Sequence, residues 1–182
     1  MVLFNNHTLF CLWVWCHVCG IAHEDKWEKN QKNITHIIYF DFNDFKPFND
    51  IYGFRQGDRA ILIFSELLQK RYPKDAFIAH IGGDDFFVGL TDFTFEDVFE
   101  LTLDIQNEFK YSAKNLYSNK DKELGYIVSK DRFGTTRNFN LLSVSCAIVE
   151  INCQSNILNF DDTLNIMKKE SKSSKEPVYK VL

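Results

Sequence analysis

Residues 35–58, THIIYFDFNDFKPFNDIYGFRQGD, open on an unbroken β-branched and aromatic run and continue into a stretch where polar groups interrupt a helical apolar pattern. THIIYFDF has the composition of a buried strand, and it delivers an acid, Asp41, at its end. The following residues read as a short helix closed by Gly53, then a turn. Gly57 and Asp58 open a second helix, RAILIFSELLQKRY, in which Ile61, Phe64, Leu67 and Leu68 fall at helical spacing and which Pro73 stops. Asp41, Lys46, Asn49, Asp50, Gly53, Gly57 and Asp58 thus crowd into one short span, with polar groups where a plain core helix would not carry them.

Downstream, AFIAHIGGDDFFVGL (76–90) reads as strand, turn and strand, with Gly82 and Gly83 supplying the positive φ or close approach of a tight hairpin. Asp84 and Asp85 sit at that turn with no Lys or Arg within five positions. On the hairpin alone, two acids could simply decorate an exposed turn, where Gly and Asp are common for backbone reasons. Residues 91–118 form a long amphipathic helix, and 118–139 a polar loop or small extra hairpin. LLSVSCAIVEI is another buried strand, DDTLNIMKKESKSS a last helix, and PVYKVL a final edge strand. The order β-α-α-β-β-α-β-α-β predicts an α+β sandwich of ferredoxin-like type: a mainly antiparallel central sheet flanked by helices, with GGDDF on a β-hairpin. Residues 1–33 read as an atypical N-terminal extension and 34–182 as one domain.

Composition narrows the function classes. A chain of 182 residues, 45% apolar, can build one real core, and 18 phenylalanines suit a sheet packed under helices. A net charge of −4 argues against nucleic-acid binding, which rewards a basic face. Five cysteines, three of them at Cys11, Cys16 and Cys19, favour a reducing compartment and a cytoplasmic location over a disulfide framework. Cys16 and Cys19 with His17 or His23 could form a metal site, but no second ligand pair of zinc-like spacing follows. The apolar stretch 10–22 falls short of the ~20 residues of a spanning helix, so no membrane span is expected. His80 reads as a packed strand residue, and Cys146 and Cys153 as core and strand-end residues.

In a ferredoxin-like sheet the first strand lies beside the hairpin, which brings Asp41 near Asp84. Two carboxylates from different strands with a backbone carbonyl between them make a hard-oxygen site suited to Mg²⁺. Open positions on such an ion are what nucleotide-handling enzymes use to neutralise a triphosphate.

These residues resemble the GGDEF family of diguanylate cyclases. The match consists of Asp41, Phe45, Lys46, Asn49, Asp50, Tyr52, Gly53, Gly57 and Asp58, together with Gly82, Gly83, Asp84, Asp85 and Phe86, and runs from about Thr35 to the C-terminus. The GGDDF variant, NDIYGF, GYIVSKDRFG and the lysine-rich end are similar to the GGDEF module found with EAL and CBS domains in bacterial signalling proteins. The resemblance implies that Asp41, the Phe42 carbonyl and Asp84 hold Mg²⁺, with Mn²⁺ as the alternative ion. It further implies that Asp84 helps deprotonate a 3′-hydroxyl, that Asp85 belongs to the catalytic group, and that Lys46 stabilises phosphate charge. Asn49 and Asp58 would read the guanine edge, Gly82 and Gly83 would admit the phosphates, and Lys172 would contact them, Lys168 taking that place in another register. The substrate would be GTP, and a homodimer would condense two GTP into cyclic di-GMP with loss of pyrophosphate. The alternative is a degenerate module that binds GTP or a protein partner without turnover, EAL or CBS domains being candidate partners.

Several positions depart from the family pattern. Asp85 replaces Glu, which withdraws the carboxylate by about an ångström, a displacement on the scale that costs about a hundredfold in rate. Asn43 replaces a second acid, Phe54 a histidine, and Glu176 an arginine. PKDA at 73–76 replaces the Arg-x-x-Asp of the inhibitory product site, so product inhibition by that route is not expected.

Overall fold

The computed structural model describes residues 36–150, 160–173 and 178–181. The element order is β1 (His36–Asn43), α1 (Phe45–Tyr52), α2 (Phe54–Arg71), β2 (Phe77–Gly82), β3 (Asp85–Leu90), α3 (Phe95–Ala113), α4 (Asn119–Leu124), β4 (Tyr126–Lys130), β5 (Thr136–Asn140), β6 (Ser143–Glu150), α5 (Phe160–Ser173) and β7 (Val178–Val181). Five strands form one sheet in the order β2-β3-β1-β6-β7, antiparallel except for the β6–β7 pair. The expected α+β sandwich with a mainly antiparallel sheet is the observed architecture, and β7 lies at its edge.

The period-2 alternation of β1 explains why the sheet is covered on both faces. Ile38, Phe40 and Phe42 enter the main core with Phe48 of α1, Ala60, Phe64 and Leu68 of α2, and Ile105 and Phe109 of α3. Tyr39 instead packs with Phe87, Ala147 and Met167 in a smaller cluster beneath α5. Phe64 is the hub of the larger core: its ring lies 5.0–5.3 Å from those of Phe40, Phe42, Phe86 and Phe109, mostly edge to face, the geometry in which aromatic quadrupoles attract. Gln106 of α3 donates to the Val144 carbonyl at 2.6 Å. Thr94 caps α3 by accepting from the Asp97 amide.

The structure corrects three expectations. The second helix starts at Phe54, so Gly57 and Asp58 lie inside its early turns and Gly53, at φ 81°, is the whole break between α1 and α2. Only Gly83 and Asp84 form the hairpin turn, with Gly82 at φ 122° and Gly83 at φ 62°; Asp85 already begins β3. The polar stretch after α3 contains a hairpin, β4–β5, as one of the two alternatives held, and also a short helix, α4, that sequence periodicity did not suggest. The extension 1–33 with its cysteines and histidines, Cys153 and Glu176 lie outside the described residues.

Replacing Phe64 by Ala is expected to cost about 3–5 kcal/mol in urea unfolding, the range for emptying a buried aromatic site. Phe133→Ala, at the exposed tip of the β4–β5 hairpin, should stay within about 0.5 kcal/mol. Equal losses for the two would contradict this assignment of the core.

Candidate functional site

Register places three acids at one end of the sheet. The β1–β3 ladder runs from His36–Leu90 to Asp41–Asp85 and stops there, whereas the β1–β6 ladder continues to Asn43–Ser143. Past Asp41, therefore, the β3 side of β1 has no ladder partner, and the Gly83–Asp84 turn follows directly on the notch. Asp41 and Asp85, being register partners, share a sheet face, the one covered by α5.

Asp41 is 3% exposed, and a buried carboxylate needs compensation. Its Oδ2 accepts from the Tyr39 hydroxyl at 2.7 Å and from Lys172 Nζ at 2.9 Å. Its Oδ1 is buried and finds no hydrogen-bond partner among the described residues. Asp85 accepts from the same Tyr39 hydroxyl and, at 2.6 Å, from Lys168 Nζ, which also lies 5.6 Å from the Tyr39 ring centre. Helix α5 therefore supplies two cations one turn apart, so both lysine registers considered for the C-terminal helix reach the acids. Asn43 is committed elsewhere: its amide oxygen accepts from Ser145 and its nitrogen donates to Ser143.

Asp84 links this cluster to an open cleft of about 640 Å³ lined by Lys46, Asn49, Asp58, Phe54, His80, Gly83 and Asp84 among others. Burial, followed by the nearby charge of Asp41, pushes the Asp84 carboxyl above the usual carboxylate range; the charge of Asp85 pushes the same way and Lys172 opposes it. Of the sequence-predicted residues, Lys46, Asn49, Asp58, Gly83 and Asp84 share the cleft wall. Asp41, Asp85 and Lys172 form the adjoining buried cluster, Phe42 is buried just beyond Asp41, and Gly82 is exposed at the end of β2. Lys46 is exposed and ion-paired with Asp50 at 2.7 Å.

Local structure explains the wall. A Cβ on Gly57 would collide with Asn49 Oδ1, so the glycine is the space into which the Asn49 amide fits. That amide oxygen is buried and has no hydrogen-bond partner among the described residues. His80 stacks on Phe86 at 4.4 Å, and its Nε2 lies 3.0 Å from the Gly83 carbonyl, to which it can only donate. It braces the turn, a role beyond plain packing. Tyr39 was not singled out in the sequence; the available signal was a hydroxyl two residues before Asp41, hence on the same strand face.

A cation fits these residues on the evidence of the orphaned Asp41 oxygen, the raised Asp84 carboxyl and the hard-oxygen donor set. No group of three or more His, Cys, Asp or Glu side chains assembles a metal cage among the described residues. That is compatible with two carboxylates and a carbonyl, which leave positions for phosphate oxygens. No helix among the described residues is long and apolar enough to cross a membrane.

Comparison with known proteins agrees with this geometry. The family model for the diguanylate cyclase GGDEF domain matches residues 21–131. The signaling protein YkoW of Bacillus subtilis is 38% identical over 58 residues, covering 32% of this chain and 7% of that protein. An uncharacterized membrane protein of Staphylococcus epidermidis is 26% identical over 110 residues, 57% of this chain and 31% of that protein. The chain thus spans a third or less of the length of these curated relatives. Among solved structures, the active GGEEF domain of a diguanylate cyclase from Vibrio cholerae superposes with a TM-score of 0.60 at 14% identity, covering 85% of this chain and 88% of that one. With the family model matching more than half of the sequence over this fold and these motifs, the chain belongs to the GGDEF family of diguanylate cyclase domains.

Proposed function

We propose that this domain is a Mg²⁺-dependent diguanylate cyclase that, as a homodimer, condenses two GTP into cyclic di-GMP and releases pyrophosphate. The observation that carries the proposal is the pairing of a buried, half-satisfied Asp41 with a raised Asp84 at the mouth of a cleft that also holds Asn49 and Asp58. Asp41, the Phe42 carbonyl and Asp84 would hold the ion, and Mn²⁺ would serve as well. When bound, Mg²⁺ supplies charge neutralisation of the triphosphate and polarisation of the phosphorus under attack.

The chain's own residues supply the rest. The amide of Asn49 and the carboxylate of Asp58 together present the donor and acceptor that a guanine edge requires. Gly82 and Gly83 carry no side chain, so phosphate oxygens can approach the turn backbone. Lys46 gives up little when it leaves Asp50, because an exposed ion pair is weak; it is free to meet developing phosphate charge. Lys172 and Lys168 pair with buried or part-buried carboxylates, so each would turn to a phosphate only as the bound cation takes over the charge it compensates. Asp84, as a carboxylate at the mouth of the cleft, would help take up the proton of the attacking 3′-hydroxyl, and Asp85 completes the acidic group. One domain holds one GTP, so bond formation needs a second copy facing the first. The domain would span residues 34–182 and work in the cytoplasm, alone or with EAL or CBS partner domains.

The second reading is a GTP-binding module without turnover. It is favoured by Asp85, which has both oxygens engaged, one by Tyr39 and one by Lys168.

Incubation of purified protein with GTP and Mg²⁺ is expected to yield cyclic di-GMP, with Asp84→Asn and Asp41→Asn each lowering product at least a hundredfold, on the order of a lost catalytic carboxylate. GTP binding without product at high protein concentration would leave the second reading. Gly57→Ala should weaken GTP binding about tenfold, the scale of one buried polar group left unpaired, ~1–3 kcal/mol. The variant should remain folded by circular dichroism, since the atoms a Cβ would meet belong to side chains that can move.

A pH effect follows from Asp84. An unfolded chain gives up this proton in the ordinary carboxylate range, while the folded chain keeps it to higher pH, so the unfolded state binds fewer protons between the two values. Stability contributed at this residue therefore falls as pH rises through the raised value, above which the ionised Asp84 works against the fold. In EDTA, the melting temperature of Asp84→Asn is expected to gain on that of the wild type as pH is raised from the ordinary carboxylate range, and added Mg²⁺ should narrow the gap by raising only the wild type. No gain by Asp84→Asn across that range would contradict the electrostatic account.

A further inference from the structure

We infer that Tyr39 is a positioning residue for the cation site: its hydroxyl ties Asp41 to Asp85 and thereby leaves Asp41 Oδ1 as the free oxygen donor. The inference rests on the proposal that Asp41 and Asp84 hold a divalent ion, and it adds a residue to which no motif of the chain drew attention.

Tyr39 is fully buried, with its ring 5.0 Å from Phe87 and in the same small cluster as Met167. A phenylalanine would fill that space equally well. Burying a hydroxyl is costly unless it is hydrogen-bonded, and here its two partners are both carboxylates, Asp41 and Asp85. One hydroxyl has one proton to donate, so it cannot fully serve two anions. The arrangement closes electrostatically because Lys172 meets Asp41 and Lys168 meets Asp85.

The distribution over oxygens is unequal. On Asp41, Tyr39 and Lys172 both use Oδ2, and Oδ1 has no partner among the described residues. On Asp85, Tyr39 takes Oδ1 and Lys168 takes Oδ2. Tyr39 therefore separates two acids that the register sets side by side: Asp41 is oriented with one oxygen in reserve, and Asp85 becomes the brace against which it is held. This also accounts for a shorter acid at position 85, where an aspartate is engaged by a tyrosine of the neighbouring strand and a lysine of α5. Without the hydroxyl, the two carboxylates would repel at close range and Asp41 would lose its fixed orientation. Groups that orient a ligating side chain typically change metal affinity by about 10–100-fold when removed.

The test is calorimetric titration of the purified domain with Mn²⁺, with thermal melting as the control for folding. Tyr39→Phe is expected to weaken Mn²⁺ binding about 10–100-fold, while Met167→Leu, which alters packing around the ring and keeps the hydroxyl, should stay within about twofold. Equal Mn²⁺ affinity in Tyr39→Phe and wild type overturns the inference and leaves the cation site standing; absence of Mn²⁺ binding in the wild type overturns both. If Tyr39→Phe does not fold, the double variant Tyr39→Phe with Asp85→Asn, which removes the repulsion together with the hydroxyl, should fold and bind Mn²⁺ about 10–100-fold more weakly than wild type, because the orienting hydroxyl is still missing. A double variant that also fails to fold, or that binds Mn²⁺ as tightly as wild type, overturns the inference.

Discussion

The buried carboxylate of Asp41 is the constraint on which the rest of this domain's design depends. A strand that ends on an acid at 3% exposure places a charge where the main sheet would otherwise continue its apolar packing, and such a charge persists only with partners. Two neighbours answer that demand: the Tyr39 hydroxyl donates to Asp41, and α5 lays two lysines across the same face. The β1–β3 ladder ends at the Asp41–Asp85 pair, and the hairpin turn adds a further acid, Asp84, whose charge opposes that of Asp41. The compensation is incomplete, since one Asp41 oxygen remains unsatisfied among the described residues. A functional site with a stored electrostatic imbalance is the arrangement expected where a ligand completes the charge balance.

The two faces of β1 divide labour between stability and chemistry. Ile38, Phe40 and Phe42 anchor the aromatic core around Phe64, which fixes the strand rigidly. Tyr39 and Asp41, on the other face, are thereby presented at fixed spacing to β3 and α5. Sites built on strands hold their side chains more tightly than sites on loops, and of the three clustered acids only Asp84 sits on a turn. That turn is itself stiffened, by the His80 contact to Gly83 and by stacking of His80 on Phe86.

Much of this was legible in the residues. The β-branched run ending at Asp41 and the Gly-Gly-Asp-Asp hairpin carry period and turn signals strong enough to place both strands, and the grouping of Asn49, Asp58 and Lys46 with Gly83 and Asp84 came from the resemblance to the GGDEF family. What was not legible has physical reasons. Helix α4 is six residues long, too short for an apolar period to emerge. Gly57 reads as a turn residue, yet it lies inside α2 because the Asn49 side chain occupies the space a Cβ would need, a tertiary reason that no local pattern contains. Tyr39 reads as one more aromatic in an apolar strand, since its hydroxyl acquires meaning only when Asp85 is brought alongside. The register that selects Lys172 over Lys168 did not anticipate that both, one helical turn apart, reach the acids.

The central claim is that Asp41 and Asp84 share one divalent ion. A crystal of the domain grown with Mn²⁺ and a non-hydrolysable GTP analogue tests it most directly, through the anomalous signal of manganese. The account predicts a peak about 2 Å from a carboxylate oxygen of each aspartate, the coordination distance of a small hard cation, with Lys172 withdrawn from Asp41. An ordered nucleotide in the cleft with no manganese peak between these residues, or a peak bound elsewhere, would contradict it.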